Sequence, residues 1–132
     1  MTTRKLLQQV VLAGLVTMPI MAMGATAVSA QNLYGAIARS RSTGDKGFAW
    51  NYSTRYEAER RAIAECNSYS GAGDCRALLW FRNACGSIAE SNDGGAGTGW
   101  GTTRALSQDY AIDSCSGVGS GCRVTRTICT GR

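Results

Sequence analysis

The chain has 132 residues, a net charge of +5, six cysteines and no histidine. This length suits one domain. Without histidine, Ser-His-Asp catalysis, Cys-His catalysis and histidine-ligated metal sites are excluded. The positive charge is too mild for the basic patch that a nucleic-acid partner requires. We therefore expect no nucleic-acid partner, no metal and no cofactor.

Residues 1–30 have the features of a removed signal peptide. Arg4 and Lys5 precede an apolar run over residues 6–28, and small residues at 28–30 end it as signal peptidase requires. The alternative is a permanent membrane anchor, which the small residues inside the run disfavour. Removal of this segment lowers the net charge to +3. We expect an exported protein, secreted or periplasmic, with no stable membrane anchor after cleavage.

Residues 31–132 are predicted to form one disulfide-stabilised domain that contains two copies of one unit, at about 33–82 and 85–129. Tyr34-Gly35-Ala36-Ile37-Ala38 matches Cys85-Gly86-Ser87-Ile88-Ala89. Trp50, Cys66 and Cys75 have counterparts in Trp100, Cys115 and Cys122. The matches keep one order, and a period near 50 residues is typical of a duplicated supersecondary unit.

The first copy is predicted to contain two strands, a helix and a third strand. Residues 33–39 and 47–52 have strand composition and flank a turn. Thr54 and Glu57 form a capping box at the start of the helix. The helix buries a stripe at helical spacing, namely Ala58, Ala62, Ile63 and Cys66. Residues 75–82 are apolar at every central position, which predicts an interior strand covered on both faces.

The second copy repeats this order with weaker signals. Strands are predicted at 85–90, 98–101 and 122–129, and Thr103 caps the helix between the last two. Leu106 and Tyr110 are among the apolar residues that this helix carries. The equivalent positions of Trp50 and Trp100 favour a shared packing role in the core. We expect an α+β fold in which one mainly antiparallel sheet of about six strands carries both helices.

Six cysteines in a short exported domain predict three disulfide bonds, and 15 pairings are compatible with that number. Cys66 and Cys115 each end a predicted helix. Cys75 and Cys122 each begin the following strand. One bond used twice would therefore join Cys66 to Cys75 and Cys115 to Cys122, which leaves Cys85 for Cys129. A bond between Cys66 and Cys115 would contradict this prediction.

Carboxylates are the remaining groups for acid–base catalysis. A glycosidase requires two of them roughly 5–10 Å apart in a cleft. Glu90 and Asp93 flank the glycine-rich segment and are the pair that could approach each other. Most other carboxylates fit the exposed sides of helices, so we expect no enzymatic activity.

Arginine and tryptophan also suggest an interaction surface. Two-residue alternation would place Arg76, Trp80 and Arg82 on one face of their strand. Arg123 and Arg126 belong to the matching strand of the second copy. These residue types anchor protein interfaces. The alternative is that Trp80 is buried and the arginines cap the ends of the sheet.

Several motifs together resemble the domain of unknown function 4189 family over residues 33–129. The motifs are Tyr34-Gly35-Ala36, Asp74-Cys75, Trp80-Phe81, Cys85-Gly86-Ser87 and Gly99-Trp100-Gly101. Members are small exported bacterial proteins, and the resemblance implies binding rather than turnover. It implies no catalytic residue.

We therefore expect a monomeric, non-catalytic binding or protective module, secreted or periplasmic. It would present a rigid surface to a protein or cell-envelope partner. The alternatives are a carboxylate-dependent hydrolase of envelope glycans and a secreted effector directed at a host.

Overall fold

The computed structural model describes residues 31–131, so the predicted signal peptide lies outside the described residues. The first copy contains β1 (Tyr34–Ser40), β2 (Lys46–Tyr52), α1 (Arg55–Ser70) and β3 (Cys75–Arg82). The second contains β4 (Cys85–Glu90), β5 (Ala96–Gly101), α2 (Arg104–Ser116) and β6 (Arg123–Cys129). The predicted α+β class and order of elements are confirmed. Neither helix of residues 31–131 has the length and hydropathy that membrane crossing requires.

The strands form two antiparallel three-stranded sheets, in the orders β2-β1-β3 and β5-β4-β6. The prediction of one six-stranded sheet is therefore wrong. The reason is the apolar face that carries Ile37, Phe81 and Ile88, which all belong to one buried cluster. With both helices on one face of a single sheet, this opposite face would remain in water. Stacking the two sheets buries both apolar faces at once.

The helices cover the outer faces of the stacked sheets at very short range. Ala36 and Ala38 of β1 pack with Ala58 and Ala62 of α1 in one buried cluster. A Cβ added at Gly47 of β2 would collide with the main chain of α1. Gly97 of the second copy has the same relation to the main chain of α2. The layers are therefore α1, first sheet, second sheet and α2, and small residues permit the helix–sheet contact.

Phe81 occupies the centre of the contact between the sheets. Its side chain is buried, and Gly35 and Gly86 lie against its ring. These glycines hold equivalent positions in β1 and β4. A Cβ at either one would overlap the ring. The two glycines thus form a slot for one aromatic side chain, and this slot orients the two sheets.

The three predicted disulfide bonds are confirmed. Cys66–Cys75 and Cys115–Cys122 each join a helix to the strand that follows it. Cys85–Cys129 joins β4 to β6, across the register pair that opens β4. No free cysteine remains among the described residues. The bonds therefore hold both helices and the end of the last strand.

Threonine caps begin both helices, as the sequence predicted. The Thr54 hydroxyl accepts a hydrogen bond from the Glu57 backbone N–H at 3.2 Å, and the Thr103 hydroxyl accepts one from the Leu106 N–H at 3.1 Å. The second hydrogen bond of a capping box, from the Thr54 backbone N–H to the Glu57 side chain, is replaced by a different one. The Thr54 hydroxyl donates to the Glu57 carboxylate at 3.2 Å.

Both third strands contain a β-bulge at the same repeat position. Ile37 pairs with Leu79 and Ala38 with Ala77, so Leu78 is an extra residue in β3. Thr125 is the corresponding extra residue in β6. A bulge interrupts the two-residue alternation of a strand. The side chains that precede Leu78 therefore lie on the face opposite to the one that strict alternation, counted from the residues after Leu78, predicts.

Two predictions about burial are wrong. β3 is an edge strand of its sheet rather than an interior strand, and Leu78 and Trp80 are exposed. Trp50 and Trp100 are exposed as well, to 40% and 53%. The tryptophans lie on β2 and β5, which are also edge strands. Their strands are covered by helices on the face that carries the glycines, so the tryptophans project from the other face.

Candidate functional site

The stacked sheets have two flanks, one where β2 faces β6 and one where β3 faces β5. At the β2–β6 flank, the Arg126 guanidinium lies 4.2 Å from the centre of the Phe48 ring and 5.9 Å from that of Trp50. These cation–π contacts cover the flank with a long side chain. Arg126 thus covers much of the space between the two edge strands, and a hollow of only about 140 Å³ remains beside Phe48 and Trp50.

The β3–β5 flank is open because its equivalent positions have shorter side chains. Leu79 stands where the second copy has Arg126, and Thr98 stands where the first copy has Phe48. Two hollows of about 520 Å³ each result, and they adjoin because Leu79 and Trp100 line both. We call this surface the β3–β5 groove. Its main apolar residues are Leu78, Leu79, Trp80, Trp100, Leu106 and Tyr110.

The groove exposes apolar and aromatic side chains in quantity. Trp100 is 53% exposed and Tyr110 51% exposed, and Leu78, Trp80 and Leu106 are exposed as well. Soluble monomers rarely group so many large apolar side chains at one place unless the surface binds a partner. The volume of each hollow also falls in the range typical of ligand sites, about 300–1,000 Å³.

Leu106 and Tyr110, which the sequence predicted to lie on the second helix, line the groove and are not part of the buried stripe of α2. The stripe actually buries Ser107, Ala111 and Cys115. Comparison of the two copies contained a signal that these two positions are exposed. The positions of Leu106 and Tyr110 carry Glu57 and Arg61 in the first copy. A solvent-facing position that becomes apolar in one copy indicates a surface specific to that copy.

Positive charge borders the groove. Arg55 of α1 lies 4.6 Å from the centre of the Trp80 ring, and Tyr34 packs on the same tryptophan with ring centres 6.2 Å apart. Arg82 lines the groove and makes no ion pair within residues 31–131. None of the described residues that line the two hollows is acidic. The groove therefore combines an aromatic floor with a basic border.

The structure separates the arginines and tryptophan that the sequence grouped as an interaction surface. Trp80 and Arg82 line the groove, whereas Arg76 lines a different hollow. The bulge at Leu78 places Arg76 on the opposite face of β3, where it pairs with Arg39. Arg123 and Arg126 belong to β6, at the far edge of the other sheet. The prediction that Arg76 shares one face with Trp80 and Arg82 is therefore wrong.

Glu90, one of the two carboxylates singled out by the sequence, is held in an ionic cluster between the sheets. Its carboxylate accepts from Lys46 Nζ at 2.7 Å, from the Thr125 hydroxyl at 2.8 Å and from Arg39 Nε at 3.4 Å. Burial alone would raise the pKa of Glu90, but these hydrogen bonds and positive charges together hold the pKa below its ordinary value. Glu90 is therefore ionised at neutral pH.

Asp93 has its own partners in the turn after β4. The Ser91 hydroxyl and the Ser120 backbone N–H donate to its carboxylate. These hydrogen bonds, that from Ser91 first, lower the pKa of Asp93. A glycosidase needs a general acid whose pKa is raised. The pKa values of Glu90 and Asp93 are both lowered, so the two carboxylates give no support to the hydrolase alternative.

The Glu90→Gln variant should lose about 1–3 kcal/mol of unfolding free energy at pH 7, because charge-assisted hydrogen bonds are lost. Folding lowers the pKa of Glu90, so its contribution is complete above the ordinary pKa of 4.5. The contribution disappears as the pH falls through the lower folded-state pKa. Urea unfolding from about pH 3 to pH 7 should show a difference from wild type that shrinks in acid. A difference independent of pH would contradict this role.

Comparisons with known proteins agree with the architecture. The family described as "Domain of unknown function (DUF4189)" matches residues 34–129. Protein Rv1269c of Mycobacterium tuberculosis and Protein Mb1300c of Mycobacterium bovis are each 38% identical to this chain over 89 residues. The alignment covers 67% of this chain and 66% of each relative, so the chain spans slightly under two thirds of their length.

A solved structure has a similar fold. The NMR structure of Rv1813c from Mycobacterium tuberculosis matches with a TM-score of 0.54 and 31% sequence identity, over 74% of each chain. The names of these relatives state no activity. Because the family match extends from the start of β1 to the end of β6, this protein belongs to the DUF4189 family of domains of unknown function.

Proposed function

We propose that this protein is an exported, monomeric, non-catalytic binding or protective module whose β3–β5 groove receives a segment of a partner protein. The segment would carry apolar or aromatic side chains with acidic residues beside them. The observation that carries the proposal is the open groove with its exposed Trp80 and Trp100. Tryptophan is the residue type most enriched among the side chains that dominate binding energy at protein interfaces.

Comparison of the two flanks supports the groove as a site. The β2–β6 flank has the same geometry, but there Arg126 covers Phe48 and the hollow beside it has a volume of only about 140 Å³. The equivalent space beside Leu79 is open although the surrounding strands are alike. A difference of this kind, confined to one of two equivalent flanks, is expected where that flank has been shaped for a ligand.

The charge around the groove favours an acidic segment. Arg82 lies at its border and lacks an ion pair within the described residues, whereas Arg55 beside Trp80 already pairs with Glu59 at 2.6 Å. An acidic side chain beside the apolar anchor would pair with Arg82 and gain charge-assisted hydrogen bonds. Complementary charge also raises the rate of association and disfavours basic partners.

The three disulfide bonds support export. Such bonds persist in oxidising compartments and are rare in the cytosol. They also hold two elements that border the groove, because Cys75 begins β3 and Cys115 lies in α2. A surface that is rigid before binding loses less conformational entropy when the partner arrives.

Selection from a phage-displayed random peptide library tests the proposal. The oxidised wild-type protein should enrich peptides with an aromatic or aliphatic anchor beside Asp or Glu. The Trp100→Ala variant should bind these peptides about 30-fold more weakly, since a central tryptophan contributes about 2 kcal/mol or more. The matched control is Trp50→Ala, at the equivalent position of the β2–β6 flank, which should bind normally.

A second variant tests the groove without removing an aromatic ring. Leu79→Arg places an arginine in the groove. Arginine is the residue at the equivalent position of the second copy, Arg126. We expect this side chain to cover Trp100 and to abolish peptide binding while the far-ultraviolet circular dichroism remains unchanged. Peptides that bind wild type, Trp100→Ala and Leu79→Arg equally would contradict the proposed site.

The non-catalytic and monomeric parts of the proposal have their own tests. Purified protein should release no soluble fragments from envelope glycans, and turnover of any envelope polymer would contradict this part. Sedimentation equilibrium should give the mass of one chain. A dimer that dissociates in the Leu79→Arg variant would instead identify a second copy as the occupant of the groove.

A further inference from the structure

A separate hollow lies near the start of β3, at the end of the strand away from Arg82, and is lined mostly by arginine. Its volume is about 220 Å³, and its lining consists of Arg39, Arg41, Asp74, Arg76 and Leu78. We call it the arginine pocket. None of its arginines lines the β3–β5 groove, and the two surfaces share Leu78 alone among the described lining residues.

Positive charges at this end of the first sheet are placed side by side. Arg39 of β1 is the register partner of Arg76 on β3 and of Lys46 on β2. Directly opposed like charges destabilise a sheet. Glu90 neutralises only part of this row, because it forms ion pairs with Lys46 and Arg39 and none with Arg76. Arg41 adds a further positive charge.

Several N–H donors of the pocket arginines have no hydrogen-bond acceptor among the described residues. Within residues 31–131, neither Arg41 nor Arg76 makes an ion pair or a side-chain hydrogen bond. Arg39 uses Nε toward Glu90 and Nη2 toward the Gly94 carbonyl, both at 3.4 Å. Its Nη1 has no partner among the described residues. Three guanidinium groups with unused N–H donors therefore border one hollow.

The one carboxylate of the pocket is directed to other groups. Asp74 Oδ1 accepts from the Ser40 hydroxyl at 2.6 Å, and Oδ2 accepts from the Ser42 backbone N–H at 3.0 Å. It makes no ion pair with the three arginines. Asp74 thus fixes the turn after β1, which positions Arg41, and leaves a net charge of +2 on the lining residues.

We propose that the arginine pocket binds a phosphate group, either as inorganic phosphate or as a phosphomonoester. A guanidinium presents N–H donors in a planar fork that matches phosphate oxygens, and phosphate offers enough oxygens for several such forks. The bound dianion would neutralise the surplus charge of Arg41 and Arg76. This inference is independent of the groove and of its proposed partner.

Isothermal titration calorimetry at constant ionic strength tests the proposal with sodium phosphate and with glycerol 1-phosphate as separate ligands. Wild type should bind at least one of them, and a preference for glycerol 1-phosphate would identify an esterified source. Arg76→Gln and Arg41→Gln should each weaken binding roughly tenfold or more. Arg82→Gln removes the same charge from the other end of β3 and should change affinity less than about twofold.

Three outcomes would overturn the proposal. The first is that wild type binds neither ligand. The second is that Arg82→Gln and Arg76→Gln weaken binding equally. The third is that sodium chloride, added as the competing salt, binds as tightly as the phosphate ligands. Equal weakening would show attraction to net charge alone. The peptide selection remains unaffected by each of these results, so the groove and the pocket succeed or fail separately.

Discussion

Replacement of both Cys85 and Cys129 by alanine should lower the unfolding free energy by about 4 kcal/mol. This disulfide bond joins residues separated by 44 positions, far more than the separations of 9 and 7 in the other two. Loop-closure entropy in the unfolded chain grows with the length of the loop, so the longest loop gives the largest stabilisation. The expected loss is a large part of the roughly 5–15 kcal/mol that stabilises a typical domain.

The matched control is the Cys115→Ala/Cys122→Ala double variant, for which the same relation predicts about 2.5 kcal/mol. Both variants keep two disulfide bonds and change two cysteines, so they differ mainly in loop length. Guanidinium unfolding without reductant, followed by circular dichroism, measures the two free energies. If the short-loop variant loses as much as the long-loop variant, the entropic account of the Cys85–Cys129 bond is wrong.

Removal of the Phe81 ring should have an effect of similar size. Phe81→Ala should cost about 3–5 kcal/mol, because the ring is buried and glycines on both sides cannot fill the cavity. Gly86→Ala alone should cost about 1–3 kcal/mol, since its Cβ would overlap the ring. In the Phe81→Ala background, the same Gly86→Ala change should become neutral or stabilising because the new methyl group enters the cavity.

This change of sign is the diagnostic result. A double-mutant cycle by urea unfolding would give a coupling free energy far outside the roughly 0.3–0.5 kcal/mol scatter of independent sites. Gly35→Ala should behave in the same way, since a Cβ at Gly35 would also overlap the ring. Additive effects at both glycines would show that Phe81 is not the side chain that holds the two sheets in register.

The duplicated architecture explains how one small domain acquires a surface that is not symmetric. The main chains of the two copies agree even in the position of the bulge in the third strand. The side chains beside the bulge differ, and Arg126 covers one flank while Leu79 leaves the other open. The open flank thus differs from the covered one at one position of each copy, Leu79 in the first and Thr98 in the second.

A second divergence lies under the helices. Ser87 of β4 hydrogen-bonds Ser107 of α2 at 2.7 Å and Thr127 at 2.8 Å. The first copy has Ala36 and Ala58 at the positions of Ser87 and Ser107. Every buried side-chain polar atom of the described residues has a hydrogen-bond partner. The polar contacts in the second copy are thus satisfied and belong to the packing of α2.

The sequence by itself determined the local and repeated features of this protein. The internal matches predicted the order of elements, the threonine caps and all three disulfide bonds, because these depend on neighbouring residues or on equivalence between copies. Burial of Ala58, Ala62 and Cys66 followed from helical spacing in the same way.

Only the tertiary structure decided how the two copies meet. A strand pattern shows which residues share a face, but an apolar face is covered equally well by a helix or by another sheet. Stacking of the sheets turned β3 and β5 into edges and left Trp100 in solvent. The bulge at Leu78 then separated Arg76 from Trp80. Both surfaces that we propose as sites arise from contacts between residues distant in sequence, and no local pattern encodes those contacts.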